Sequence, residues 1–234
     1  LVQAIARWGN WKRISQLKNN RKNLITSKFY ASIPRRVQMT NREQMIKLSG
    51  LRHLSSLTMR VYRTKLQGDH KMSVGNKKDL DKIMADAVEV KEAFQKRTFS
   101  PYEEYEVFED SIPLVGLPNG IYLLEFSTEP KTAVSRVLYN VTNLRVLATG
   151  RQKADMRYVV VDAITGQPVN GAKVQVDISR YNKDERKMLT TNAAGEANHV
   201  FTTGTWHSIY VYTDDDKACP SVNSGDNFNF NDNN

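Results

Sequence analysis

Hydrophobic residues alternate with polar ones over several short runs in the second half of the chain. Five of these runs are predicted strands, separated by turn-forming residues at short and even spacing: 156–162, 173–178, 186–190, 197–202 and 208–213. Half-buried antiparallel strands alternate in this way, and regularly spaced short strands are typical of a β-sandwich. We therefore predict that residues 156–212 form an antiparallel β-sandwich, a binding or structural module and not a catalytic one.

The first half contains predicted strands of the same kind, interrupted by one helix. Alternation is clear over 57–62, and apolar strands over 121–126 and 133–139 follow a Leu-Pro-Asn-Gly turn at 117–120. Between these strands, with Asp79 as the N-cap, apolar residues recur at helical spacing: Leu80, Ile83, Met84, Ala87, Val90 and Phe94. Ser100-Pro101 would stop this helix. The pattern predicts an inserted helix over 79–97.

Two helices are predicted at the beginning of the chain. Apolar residues recur there at three-residue spacing: Ile5, Trp8, Trp11, Ile14 and Leu17. A break is predicted at Gly9-Asn10, and the second helix extends beyond it to about Thr26. Two tryptophans on a thin helical stripe need a cover. We expect them to pack on the following domain or on further helices of a longer protein.

The predicted elements divide the 234 residues into four segments. A helical segment over 1–32 precedes a first sandwich over 33–147 that carries the helix 79–97. A second sandwich covers 148–220, and 221–234 forms a loop or a truncated tail. The fold class is therefore mainly β, with two immunoglobulin-like antiparallel β-sandwiches. Because the chain begins with Leu1 and no signal segment follows, we expect it to be part of a longer protein.

The formal net charge of +9 conceals an asymmetry. Residues 1–66 contain 15 Lys or Arg and one acidic residue, Glu43, whereas the remainder contains 19 basic and 24 acidic residues. So basic a segment could bind phosphates or an anionic membrane face, and nucleic-acid binding is one hypothesis. Its charges are dispersed among apolar residues, so we expect a solvated face that docks on an acidic neighbour, and we expect no nucleic-acid partner.

The most informative stretch runs from 158 to 176 and has the sequence Tyr-Val-Val-Val-Asp-Ala-Ile-Thr-Gly-Gln-Pro-Val-Asn-Gly-Ala-Lys-Val-Gln-Val. The valine run at 159–161 suits a buried strand. Asp162 can accept hydrogen bonds from backbone amides in the following turn, and Gly166 can supply the positive φ that ends it. The stretch therefore predicts a strand, a tight sandwich corner and a returning strand.

This stretch resembles macroglobulin domains of bacterial α2-macroglobulin-like proteins, which are large envelope-associated protease inhibitors. The matching segments are 160–162, 165–169, 171–174 and 191–195, and those at 54–63, 114–122 and 139–146 are similar to other parts of such domains. The resemblance covers about 33–212 and is to MG1- and MG2-type domains. The segment 162–172 alone also resembles carboxypeptidase-regulatory-like and transthyretin-like modules. The alternative is therefore a carboxypeptidase-regulatory-like or carbohydrate-binding β-sandwich module of a surface or outer-membrane protein.

The resemblance implies a non-catalytic scaffold fragment. Its partners would be neighbouring domains of the same larger chain, with proteases as targets of the full-length protein. The protein would be exported to the cell envelope, as a periplasmic or outer-membrane-associated protein, with any membrane anchoring through a segment outside this chain. Many members carry a thioester motif, Cys-x-Glu-Gln, but Cys219 is followed here by Pro-Ser-Val.

Few side chains suggest chemistry. Four histidines lie at no metal-ligand spacing: His53, His70, His199 and His207. The run 214–216 of three aspartates could bind calcium but lacks the alternating ligand spacing, and the acidic pairs at 103–104 and 109–110 are expected to serve solubility. Trp206, Tyr210 and Tyr212 could form a sugar platform but are expected to pack on the sheet. We predict no catalytic, cofactor-binding or metal residue, and no cofactor.

Overall fold

A computed structural model of the chain describes residues 1–100, 106–129, 133–150, 155–180, 183–200 and 206–223. Three α-helices lie in its first half: α1 Val2–Arg7, α2 Ile14–Ile25 and α3 Lys77–Ala85, with a 3-10 turn at Lys91–Ala93. The strands are β1 Lys28–Ser32, β2 Val37–Gln38, β3 Gln44–Arg52, β4 Ser56–Arg63, β5 Val88–Glu89, β6 Gln95–Thr98, β7 Phe108–Leu114, β8 Gly120–Glu129, β9 Val134–Val141, β10 Leu144–Gly150, β11 Asp155–Asp162, β12 Lys173–Arg180, β13 Lys183–Thr190, β14 Glu196–Val200, β15 Trp206–Tyr212 and β16 Val222–Asn223.

The first sandwich packs a three-stranded sheet on a larger one. The small sheet has the order β1-β3-β7, and the large sheet has the order β2-β9-β8-β4-β5 with β6 also paired to β4. The strands pair antiparallel except β2 and β9, which pair parallel. Alternate residues of both sheets fill the core, among them Ile46, Leu48, Met59, Leu124 and Phe126.

The second sandwich is smaller and follows the same plan. One sheet has the order β10-β11-β14, and the other has the order β13-β12-β15-β16. Its core takes residues from both sheets: Met156, Tyr158, Val160, Val174, Val176, Ile178, Ile209 and Val211. The predicted fold class, mainly β with immunoglobulin-like sandwiches, is therefore confirmed.

The corner after β11 has the predicted chemistry. Asp162 Oδ1 accepts hydrogen bonds from the backbone amides of Ile164 at 2.9 Å and Thr165 at 2.8 Å. These two bonds from backbone amides, with a further one from the Thr165 hydroxyl, lower the pKa of Asp162. Gly166 has φ +71°, a conformation that favours glycine. The residues of this motif therefore serve chain geometry.

Four boundaries predicted from the sequence need correction. The predicted helical segment 1–32 ends in a strand, because Lys28–Ser32 pairs with β3. The helix predicted over 79–97 spans Lys77–Ala85 and is capped by Asn76, since Val88–Glu89 pairs with β4 instead of extending it. The first sandwich ends with β9 and not at residue 147, because β10 already pairs with β11 of the second sandwich. Val222 packs against the second core, beyond residue 220. The tail from 224 onward lies outside the described residues.

A buried hydroxyl offers a test of the second core. Tyr158 is fully buried, and no described residue hydrogen-bonds to its hydroxyl. A buried, unpartnered polar group costs about 1–3 kcal/mol of desolvation, and the Tyr158→Phe substitution removes that group while keeping the ring. We expect Y158F to be as stable as the parent or up to about 1 kcal/mol more stable. A urea denaturation showing Y158F to be clearly less stable would contradict the burial of an unpaired hydroxyl.

Candidate functional site: the junction between the two sandwiches

The two sandwiches are joined by a linker of two residues, Thr142 and Asn143. β9 ends at Val141, which belongs to the first core, and β10 begins at Leu144, which belongs to the second. Thr142 between them is fully buried, and its backbone amide donates to the Gln38 carbonyl at 2.9 Å. The linker is therefore a continuation of the first sandwich's sheet.

Asp216 holds this linker from the second sandwich. Its Oδ2 accepts hydrogen bonds from the Thr142 hydroxyl at 2.8 Å and from the Asn143 amide at 3.0 Å, and its Oδ1 accepts from the Ala218 amide at 3.1 Å. The residue is 7% exposed. A buried carboxylate that accepts three hydrogen bonds satisfies donors that would otherwise be left without partners.

Asn143 connects both sides. Its Oδ1 accepts from the Thr40 amide at 3.0 Å and its Nδ2 donates to the Thr40 hydroxyl at 2.9 Å, both in the first sandwich. Its carbonyl accepts from the Ala163 amide at 2.7 Å, in the corner after β11. One asparagine therefore fixes the end of the linker against both domains.

The segment from Asp214 to Ser221, the docking segment, lies against the first sandwich. Main-chain bonds join it to Gly68, whose amide donates to the Lys217 carbonyl at 2.8 Å and whose carbonyl accepts from the Ser221 amide at 3.1 Å. Two asparagine amides of the first sandwich donate to its carbonyls: Asn119 to Asp215 at 2.5 Å and Asn140 to Ala218 at 2.8 Å. The docking segment therefore continues the backbone hydrogen bonding of the first sandwich.

Gly68 lies in close contact with Cys219 of the docking segment. A Cβ atom at this position would lie 1.7 Å from the Cys219 carbonyl oxygen and 2.9 Å from the Tyr210 ring. Contacts under 3.0 Å to a backbone atom cannot be relieved without moving the chain. The residue must be glycine because a side chain would not fit at this position. Only glycine therefore allows the loop around Gly68, which connects β4 to α3, to lie flat on the second sandwich.

The loop around Gly68 covers the outer face of β12 and β15. Tyr210 and Gln175 are cross-strand partners on that face, 2% and 6% exposed respectively. The Tyr210 hydroxyl donates to the Lys217 carbonyl at 2.8 Å, and the Gln175 amide donates to the Asp69 carboxylate at 3.4 Å. Burial raises the pKa of Tyr210. Polar side chains that would be solvated in an isolated sandwich are thus buried by the neighbouring one.

Cys219 provides a chemical probe of this junction. It packs against the second core, and burial raises the pKa of its thiol to about 12. Because the thiolate is the reactive form, the thiol stays protonated and unreactive until the pH approaches that value or the junction opens. We expect no reaction with a thiol-specific disulfide reagent at pH 8 in native protein and one equivalent after unfolding. Rapid reaction of the native protein would contradict a closed junction.

The histidines predicted to have no metal role are scattered. His53 lies between β3 and β4 in a positive-φ conformation, His199 lies on β14, and His207 is buried on β15. His70 follows the loop around Gly68, and burial lowers its pKa. Within the described ranges, no three His, Cys, Asp or Glu side chains lie close enough together to hold a metal ion.

The acidic candidates separate into different surroundings. Among the three aspartates considered for calcium, Asp214 and Asp215 are exposed, whereas both oxygens of Asp216 accept hydrogen bonds at the junction. Asp110 forms an ion pair with Arg97 at 2.7 Å, and this bond lowers its pKa. The pair 103–104 lies outside the described residues.

The aromatic candidates do not form an open platform. Tyr210 and Tyr212 stack with ring centroids 5.0 Å apart, but Tyr210 is buried under the loop around Gly68. The side chain of Trp206 lies outside what the structure describes. A sugar platform built on Tyr210 would require the first sandwich to move away.

The comparisons bear on the fold. No family model matches the sequence, and no curated protein matches it. The structure is similar to a crystal structure of native α2-macroglobulin from Escherichia coli spanning domains NIE-MG1, with a TM-score of 0.52 and 12% identity, covering 82% of this chain and 95% of that one. The fold is macroglobulin-like. A second crystal structure of that protein, spanning MG0-NIE-MG1, gives a TM-score of 0.51 and 10% identity, covering 84% of this chain and 63% of that one.

The macroglobulin-like fold places the junction in context. Sequence patterns find the strands of each sandwich but not the residues that join them, because Gly68 sits in an ordinary polar loop and Asp216 in an acidic run. One signal was available, since β9 and β10 follow each other with two residues between them. A linker this short requires the flanking domains to touch.

Proposed function

We propose that this chain is a non-catalytic, two-sandwich scaffold module of a bacterial α2-macroglobulin-like protease inhibitor. The inhibitor would be exported to the cell envelope, where the longer chain traps proteases. Neighbouring domains of that chain would be the module's direct partners. The macroglobulin-like fold, formed by two sandwiches with a buried junction, is the observation that carries this proposal.

Two further observations support a scaffold. The polar groups that converge at the junction are used in holding the domains together, as Asp216 and Asn143 show. The candidate catalytic and metal residues lie apart from one another or outside the described ranges. Because these buried polar side chains at the junction hold the two sandwiches in position, they support a scaffold role.

The experiment compares the full-length protein with residues 1–234 alone. Each is incubated with a broad-specificity protease, and the protease is then assayed on a large protein substrate and on a small chromogenic peptide. We expect the full-length protein to suppress cleavage of the large substrate while peptide cleavage persists, and the isolated module to affect neither.

Two outcomes would contradict the proposal. The first is unaltered cleavage of both substrates in the presence of the full-length protein, which would exclude trapping. The second is a reading frame that stops soon after Asn234, because an inhibitor of this kind needs many more sandwich domains.

A further inference from the structure

The beginning of the chain forms a basic helical hairpin, residues 1–26, that contains α1 and α2. It carries six cationic side chains and no acidic one: Arg7, Lys12, Arg13, Lys18, Arg21 and Lys22. The first acidic residue along the chain is Glu43. Its positive charge is therefore not balanced locally.

The basic hairpin is exposed on the described part of the molecule. Neither helix has a buried residue, and Trp8 and Trp11, at the turn between the helices, are 54% and 49% exposed. The prediction that these tryptophans pack on the following domain or on further helices of a longer protein stays a prediction, and about half of each residue is exposed in this structure. The other end of the hairpin contacts the first sandwich. There the Arg52 guanidinium donates to the Asn23 carbonyl at 2.6 Å.

We propose that the basic hairpin binds an anionic lipid surface. Exposed tryptophans beside Lys and Arg are suited to the interface of a bilayer, where the indole ring lies at headgroup depth and the cations meet lipid phosphates. Among the described residues, none of the helices has the length and apolar character that crossing a bilayer requires. The proposed contact lies at headgroup depth, so binding would be peripheral and reversible.

Charge complementarity selects this partner. Cations next to an anionic leaflet each contribute to binding, and the hairpin carries six of them among 26 residues. A nucleic acid would also attract these cations, but the indole rings favour an interface with an apolar side. This inference does not depend on protease trapping, since a lipid-binding segment could serve either kind of sandwich module.

The experiment uses the whole 234-residue chain with vesicles of phosphatidylcholine alone or with 30% phosphatidylserine. Trp206 is replaced by Phe so that tryptophan emission comes from Trp8 and Trp11. We expect co-sedimentation and a blue shift of the emission with the anionic vesicles and neither with the neutral ones. Added salt should weaken binding, because exposed charges are screened.

Two charge-matched variants locate the surface. Replacing Lys12, Lys18 and Lys22 with glutamine should weaken binding about a hundredfold at low salt, from the typical contribution of a cation near an anionic surface. Replacing Lys77, Lys78 and Lys82 of α3, which are also exposed helical lysines, should leave binding unchanged. Glutamine keeps helix propensity close to that of lysine, and circular dichroism checks that both variants fold.

Three results would overturn the proposal. These are equal binding to neutral and anionic vesicles, equal loss in the two triple variants, and tighter binding to a single-stranded oligonucleotide than to anionic vesicles at the same salt concentration. The last result would assign the basic hairpin to nucleic acid. A Trp8→Ala, Trp11→Ala variant that binds as well as the parent would exclude the insertion of the indole rings.

Discussion

The Gly68→Ala variant is expected to lose about 3 kcal/mol of stability and to separate the two sandwiches. Its new methyl group would lie 1.7 Å from the Cys219 carbonyl oxygen, which is backbone and cannot rotate away. The loop around Gly68 must then lift, breaking its bonds to Lys217 and Ser221 and uncovering Tyr210. Urea denaturation followed by circular dichroism measures the loss of stability.

The matched control for this variant is Gly75→Ala. A Cβ atom at Gly75 would meet only the Ser73 hydroxyl, at 3.6 Å, which is ordinary contact. We expect a change within about 0.5 kcal/mol for G75A. Equal denaturation midpoints for the two variants would show that the close approach at Gly68 does not exist. Faster reaction of Cys219 in G68A than in G75A would place the damage at the junction.

Removing the Asp216 carboxylate should cost about 2–3 kcal/mol of unfolding free energy. In Asp216→Ala, the Thr142 hydroxyl and the amides of Asn143 and Ala218 lose their acceptor, and Thr142 is fully buried. Buried donors left without a partner carry the full desolvation cost, whereas exposed ones turn to water. Thermal or urea unfolding of the purified chain measures this change.

Asp214→Ala is the control for the Asp216 variant, because Asp214 belongs to the same acidic run and is exposed. It should change stability by no more than about 0.5 kcal/mol. A variant that combines Gly68→Ala with Asp216→Ala gives a second test, because both substitutions open the same junction. Its loss of stability should be smaller than the sum of the losses of the two single variants. Full additivity would indicate that Gly68 and Asp216 act on separate structures.

The strands of the second sandwich could be predicted because their signal is local. The run predicted at 156–162 is observed as Asp155–Asp162, and 173–178 as Lys173–Arg180. Val174 and Val176 alternate with the polar residues Lys173, Gln175 and Asp177, and the pleat of a strand turns this alternation directly into an inner and an outer face. The turn at Asp162 and Gly166 is local for the same reason.

The inserted helix shows how long-range pairing overrides a local pattern. Val90 and Phe94 continue the helical stripe of α3, so periodicity extends the predicted helix to residue 97. In the structure, Glu89 pairs with Tyr62 of β4, and the Val90 amide donates to the Val61 carbonyl at 2.8 Å. The edge of β4 offers hydrogen-bond partners to the backbone of residues 88–90, in competition with the helix. The sequence around these residues does not show that such an edge lies nearby.

The junction could not be predicted because its partners are distant in sequence. Gly68 meets Cys219 across about 150 residues, and Asn140 meets Ala218 across 78. Such contacts follow from the placement of whole sheets, so the pattern around each residue carries no trace of them. The same reason explains why Tyr210 was considered for an open surface and is buried.

A flexible tether would let each sandwich turn independently, but Thr142 and Asn143 span about 7 Å at most when fully extended. Because Thr142 is hydrogen-bonded to the second sandwich and Asn143 to the first, the linker has no spare length that would allow one domain to rotate against the other. A rotation applied to one sandwich is therefore transmitted to the other, and the two sandwiches move together as one rigid lever. In a larger protein that changes shape, movement would have to arise beyond the ends of this lever and not within it.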